Sequence, residues 1–191
     1  DNDTLRRGRP TVHVQYGEAC AMLAGDALQT EAFSVLSKID AAPEVVVRLL
    51  QTLSRASGVA GMAGGQAIDL EMVGAHPDEG ALLRMQSMKT GALIVAAVLM
   101  GAQSGRWEEL SEASKGGLAL YGHSLGIAFQ VVDDILDCTQ DTATLGKTAG
   151  KDEKDDKPTW VSILGLEGAR ERARALRADA QRGLDLIAAD P

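Results

Sequence analysis

Three aspartates, Asp133, Asp134 and Asp137, close an apolar run in the segment FQVVDDILD, residues 129–137. Isolated carboxylates repel one another and cost free energy when taken out of water. On a helix, residues four apart share a face, with Cβ atoms roughly 5–6 Å apart. Asp133 and Asp137 are spaced in that way, with Gln130 one turn earlier, while Asp134 falls about 100° round the helix. Two carboxylates so placed can share Mg2+, a hard cation that takes oxygen ligands and keeps waters and substrate phosphates in its shell. The competing reading is an acidic, solvated helix end. Carboxylates near a helix carboxyl terminus oppose the dipole, and the flanking Phe129, Val131, Val132, Ile135 and Leu136 weigh against it further.

Two other segments carry cations. In DNDTLRRGRPT, Asp1 and Asp3 precede Arg6, Arg7 and Arg9. Paired guanidinium groups are planar, permanently charged forks suited to phosphate oxygens, although for this segment taken alone local pairing with the aspartates is the simpler use. In SMKTGALI, Lys89 and Thr90 stand just before an apolar run, either as a snorkelling edge or as a phosphate-binding pair. Lys147, Lys151 and Lys157 alternate with acids in a polar stretch, a mixture that is usually just solvated. Taken together, the acids suit a metal, the bases a phosphate, and the abundant aliphatic surface a hydrocarbon.

The elements that must position these groups are helical. Of the 191 residues 45% are hydrophobic and only 3% aromatic, a balance that favours helices over sheets and suffices for one domain. A net charge of −8 excludes a phosphate-backbone binder, so no nucleic-acid partner is expected. Cys20 and Cys138 form no CxxC and read as reduced thiols of a cytoplasmic protein. The longest greasy segment, residues 91–102, is too short to span a bilayer.

Along the chain, residues 11–38 read as helix, with Met22, Ala27, Leu28, Phe33, Val35 and Leu36 supplying core. Pro43 suits the first position of the next helix, over 44–57. The glycines Gly58, Gly61, Gly64 and Gly65 each cost roughly 1 kcal/mol in a helix interior; they serve either close helix packing or room for a ligand. Asp78 is a helix cap, long helices follow over about 80–103 and 108–137, and residues 139–159 form a polar loop that is expected to be mobile. An amphipathic helix closes the chain.

The motifs DxDxLRRGxPTxH, AGDALQTEAF, GGQAIDLE, MKTGALI, FQVVDDILD and DTATLGKTAGKD occur in an order that closely resembles the bacterial farnesyl diphosphate synthases of the trans-isoprenyl diphosphate synthase family. The resemblance implies an all-α, isoprenoid synthase-type helical bundle around a central cavity, a single domain over 1–191, and a homodimer. It implies two aspartate motifs on facing helices that hold three Mg2+. Asp133 is then the direct ligand, with Asp134 and Asp137 assisting, and Asp1 matches the last aspartate of the first motif. The leading pair of that motif, a GKR-type basic motif and a histidine are expected before Asp1, so the amino-terminal part of the family fold is expected to be absent. Arg6 would meet the allylic diphosphate and Arg7 that of isopentenyl diphosphate. Lys89, Thr90, Gln130 and Lys147 match allylic-site positions, Lys157 a lysine near the same headgroup, and Gln66 and Asp69 the GQxxDL motif lining the cavity.

The activity so implied is Mg2+-dependent condensation of isopentenyl diphosphate with dimethylallyl and geranyl diphosphates to give farnesyl diphosphate, with residues 139–159 closing over the headgroup. The alternatives are a geranyl or geranylgeranyl diphosphate synthase, a terpene cyclase, or a catalytically silent helical subunit.

Overall fold

Proline, hydroxyl and carboxylate caps set out the helices of this chain. The computed structural model describes residues 3–140 and 157–189; Asp1, Lys147 and all but the ends of the expected 139–159 loop lie outside them. A hairpin of β1 (Leu5–Arg6) and β2 (Arg9–Pro10) precedes α1 (Val12–Tyr16), α2 (Glu18–Ser37), α3 (Pro43–Ser57) and α4 (Met62–Glu71). Next come α5 (Glu79–Gln86), a π-helical turn (Ser87–Gly91) and α6 (Ala92–Gln103), then α7 (Glu112–Thr139) and α8 (Trp160–Ala188). The all-α expectation is met.

Pro43 opens α3, where its fixed φ and missing N–H cost nothing. The Asp78 carboxylate accepts from Ala81 N at 2.7 Å and caps α5. Ser111 does the same for α7, and Thr159 and Ser162 cap α8 reciprocally. Gly17, at φ 86°, separates α1 from α2, so the helix expected over 11–38 is two.

The core lies where α5, α7 and α8 meet. Leu82, Met85, Ile127, Val131, Trp160, Ala169 and Leu176 form one buried cluster. The long helices α7 and α8 cross closely because Gly117 and Gly183 face each other; a Cβ on Gly117 would stand 2.6 Å from the Gly183 carbonyl oxygen. One expectation about the core fails. No residue of α2 is buried, and Met22, Leu28 and Val35 are exposed, with Ala27 also exposed and Phe33 and Leu36 half-buried. Among the described residues α2 packs chiefly on α1 and α3, which leaves these side chains uncovered.

Residues 79–103 run as one continuous helical stretch, as expected, but the π turn interrupts its regular pitch. At 25 residues the stretch is long and apolar enough to cross a membrane by length and composition, more than its apolar half alone indicated. Two of its polar side chains nevertheless find partners inside the fold: Lys89 pairs with Asp69, and Gln86 accepts a hydrogen bond from Trp160.

Candidate functional site

Helix α7 presents three faces, and the acidic segment divides among them. Ile127, Val131 and Asp134 lie on the buried face. Leu125, Phe129, Val132 and Leu136, at helical spacing, form an exposed apolar face. Between the two, Gly126, Gln130, Asp133 and Asp137 follow one another at three- and four-residue steps along a single side. The apolar run around the aspartates therefore serves the core on one side only.

Against that third face lies the π turn. Single π turns within α-helices are rare and concentrate at functional sites. Here the turn Ser87–Gly91 is gripped from two directions. On one side Gly65 of α4 comes so near that a Cβ there would stand 2.1 Å from Lys89 N and 2.6 Å from Lys89 Cα. On the other, a Cβ on Gly126 of α7 would stand 2.8 Å from Gly91 Cα. The wider turn thus sits in a slot that two glycines make possible.

The neighbouring side chains Lys89 and Thr90 diverge to different helices. Lys89 Nζ donates to Asp69 Oδ2 on α4 at 2.6 Å, with the lysine side chain 23% and the aspartate 11% exposed. Thr90 Oγ1 donates to Gln130 Oε1 on α7 at 2.9 Å. The structure thereby joins four residues singled out in the sequence, Asp69, Lys89, Thr90 and Gln130. An ammonium has three donors, so the bond to Asp69 leaves two for an anionic ligand. Gln66 is half-buried on α4, one turn before Asp69.

Asp134 is turned to another task. Its Oδ2 accepts from the backbone N–H of Trp160 at 2.8 Å, so a carboxylate caps the positive amino-terminal end of α8. Trp160 is wholly buried, its indole N–H donates to Gln86 Oε1, and the Arg172 guanidinium lies 5.4 Å from its ring centroid. Half-buried Lys157 stands three residues before it. Asp137 is buried and Asp133 half-buried. Carboxylates of Asp133 and Asp137 on one face form an all-oxygen donor pair that fits Mg2+. Among the described residues no three acidic, histidine or cysteine side chains gather closely enough to hold a metal by themselves.

Arg6 and Arg7 are exposed on the hairpin. Arg7 (φ 52°) and Gly8 (φ 71°) are both left-handed, the requirement of a tight two-residue turn. Thr11 fastens the hairpin base, its N donating to Thr4 O at 3.1 Å and its Oγ1 to Asp3 O at 2.6 Å.

Gln86 and Trp160 were not singled out as site-forming residues. A tryptophan following a long polar stretch, together with a glutamine inside an apolar helix, is the signal that could have found them.

Residues 1–184 match the family model for polyprenyl synthetase. The chain is 52% identical to farnesyl diphosphate synthase of Escherichia coli (strain K12), over 98% of this chain and 63% of that protein. It is 44% identical to chloroplastic geranylgeranyl pyrophosphate synthase 9 of Arabidopsis thaliana, over 100% of this chain and 53% of the plant protein. In structure it resembles a geranyltransferase from Helicobacter pylori complexed with magnesium and isoprenyl diphosphate, with a TM-score of 0.87 and 35% identity, covering 99% of this chain and 61% of that one. The chain therefore spans less than two thirds of the length of these relatives. With its helical architecture and nearly its whole length matched, the chain belongs to the polyprenyl synthetase family.

Proposed function

We propose that the full polypeptide is a magnesium-dependent prenyltransferase of the farnesyl diphosphate synthase type. It condenses isopentenyl diphosphate with dimethylallyl and geranyl diphosphates. The observation that carries this reading is the single face of α7 on which Gln130, Asp133 and Asp137 align, with the Lys89–Thr90 turn seated against it. The 52% identity to the Escherichia coli farnesyl diphosphate synthase supports it, and the magnesium and isoprenyl diphosphate named for the Helicobacter pylori protein supply the ligand chemistry.

Asp133 and Asp137, with Asp134 assisting and Asp1 from the first motif, would hold three Mg2+, which when bound neutralise charge on a diphosphate. Lys89 directs its two remaining N–H donors at the allylic diphosphate, and Arg6, Lys147 and Lys157 add charge around it. Arg7 holds the diphosphate of isopentenyl diphosphate. Gln66, Thr90 and Gln130 set the polar wall beside the reacting carbons, with Asp69 behind Lys89. The allylic C–O bond breaks with its electron pair leaving on the diphosphate. The double bond of isopentenyl diphosphate then forms the new C–C bond, and the released diphosphate takes the proton. Donors fixed in advance where charge develops are commonly the largest catalytic term, and the cation requires that water be kept out. A homodimer and a reducing cytoplasmic location, consistent with free Cys20 and Cys138, complete the reading.

The test is Mg2+-dependent pyrophosphate release with chain-length analysis of the product. Asp133→Ala is expected to lower kcat by about 1,000-fold with its circular dichroism unchanged; near-normal turnover would remove the ligand assignment. A C20 product would favour geranylgeranyl diphosphate synthesis, a reading that the 44% identity to the plant enzyme keeps in play. No release from any allylic substrate would point to a silent subunit.

A further inference from the structure

We infer that Asp69 is a positioning residue that acts through Lys89, fixing where the ammonium points, rather than a group that contacts substrate or metal itself. The inference rests on the function proposed above. Three observations carry it. First, the Lys89 backbone is already immobilised by the π turn and by the approach of Gly65, which leaves only the side chain free to wander. Second, Asp69 Oδ2 lies 2.6 Å from Lys89 Nζ, and the aspartate is buried, so the carboxylate is compensated by this cation and sheltered from solvent competition. Third, Thr90, the adjacent residue, turns away to Gln130 and so does not compete with Asp69 for the lysine.

A lysine is a point charge on a flexible four-carbon stem. Asp69 converts it into a directed donor pair, because one N–H is taken and the other two are thereby aimed. It does so at the cost of net attraction, since the carboxylate cancels most of the ammonium charge felt by an incoming diphosphate. Losing Asp69 should therefore harm the step in which charge develops more than it harms binding. Kinetically the effect belongs in kcat rather than KM.

The experiment is a double-mutant cycle in the full-length protein: Asp69→Asn, Lys89→Met and the pair, with kcat and KM measured for the allylic diphosphate at saturating Mg2+. Asp69→Asn is expected to lower kcat by about 10- to 100-fold while KM stays within about 3-fold. In the Lys89→Met background the same change should alter kcat by less than about 2-fold, because the group it positions is gone. If Asp69→Asn does not fold, as judged by thermal melting, Asp69→Glu carries the same cycle. Equal losses in both backgrounds, or wild-type kcat in Asp69→Asn, overturn the inference. Wild-type protein that releases no pyrophosphate overturns the proposed function, and this inference with it, which sets that failure apart from the other two.

Discussion

The two places that carry the cations proposed to meet diphosphate, the Lys89 turn and the Arg6–Arg7 hairpin, are built on opposite principles. Lys89 owes its position to residues far away in sequence. Gly65 and Gly126 make the slot, Asp69 takes the ammonium and Gln130 holds the neighbouring Thr90. The arginines depend on their immediate neighbours. Arg6 pairs in register with Arg9, which sets like charges opposite each other on one face, an arrangement that destabilises a hairpin. Arg7 holds a left-handed φ that costs an L-residue roughly 1–2 kcal/mol. So short a hairpin has little stability of its own. The lysine is thus placed by the fold. The hairpin concentrates strain at Arg7 and like-charge repulsion between Arg6 and Arg9.

If that contrast is real, disturbing the slot should unsettle the whole molecule. Gly65→Val puts side-chain atoms where the Lys89 backbone runs, an approach of 2.1 Å already for the first added carbon. Neither side is the end of a flexible side chain, so α4 or the π turn must move. The expected loss is about 3 kcal/mol or more in urea unfolding. A loss under about 1 kcal/mol would mean that the slot is soft, and the contrast with the hairpin would go.

A smaller effect is expected one layer behind the turn. Trp160→Phe keeps an aromatic ring in the core but removes the indole N–H, leaving the buried Gln86 carbonyl without that donor. An unsatisfied buried acceptor costs about 1–3 kcal/mol. Adding Gln86→Leu should recover most of it, since replacing both partners by apolar groups can be nearly neutral. Denaturation midpoints of the two single variants and the pair decide this; additive losses would show that the bond is incidental.

The contrast also explains what could be read without a structure. Helix starts at Pro43 and Asp78 were legible because a cap acts within one turn of its own residue. The shared side of Asp133 and Asp137 was legible for the same reason, since three- and four-residue spacing is local. The division between Asp133 and Asp134 was only half legible: periodicity put Asp134 round the helix, but not the Trp160 N–H that it meets 26 residues later. Gly64 and Gly65 left packing and ligand space as rival readings, and at Gly65 the two merge, because close packing there is what seats Lys89. The π turn has no sequence signature, arising from helices that grip it on both sides. Core residues assigned to α2 failed because amphipathic pattern says which residues prefer burial, not whether a neighbour is present to cover them.

The hairpin offers the gentlest test. Gly8 sits at φ 71° with open space around its Cβ position, so Gly8→Ala meets no clash and only backbone strain acts. That strain is about 1–2 kcal/mol, confined to a few exposed residues joined to the rest at Thr11. Global unfolding should change by no more than about 0.5 kcal/mol, because the core cluster includes no hairpin residue. The Thr11 amide, which donates to Thr4 O, should exchange with solvent about 5–30 times faster, the factor that 1–2 kcal/mol implies. Amides of the buried stretch around Val131 should keep their protection. If Gly8→Ala instead lowered global stability as far as Trp160→Phe does, the hairpin would be coupled to the core, and Arg6 and Arg7 would share the fold-given placement of Lys89.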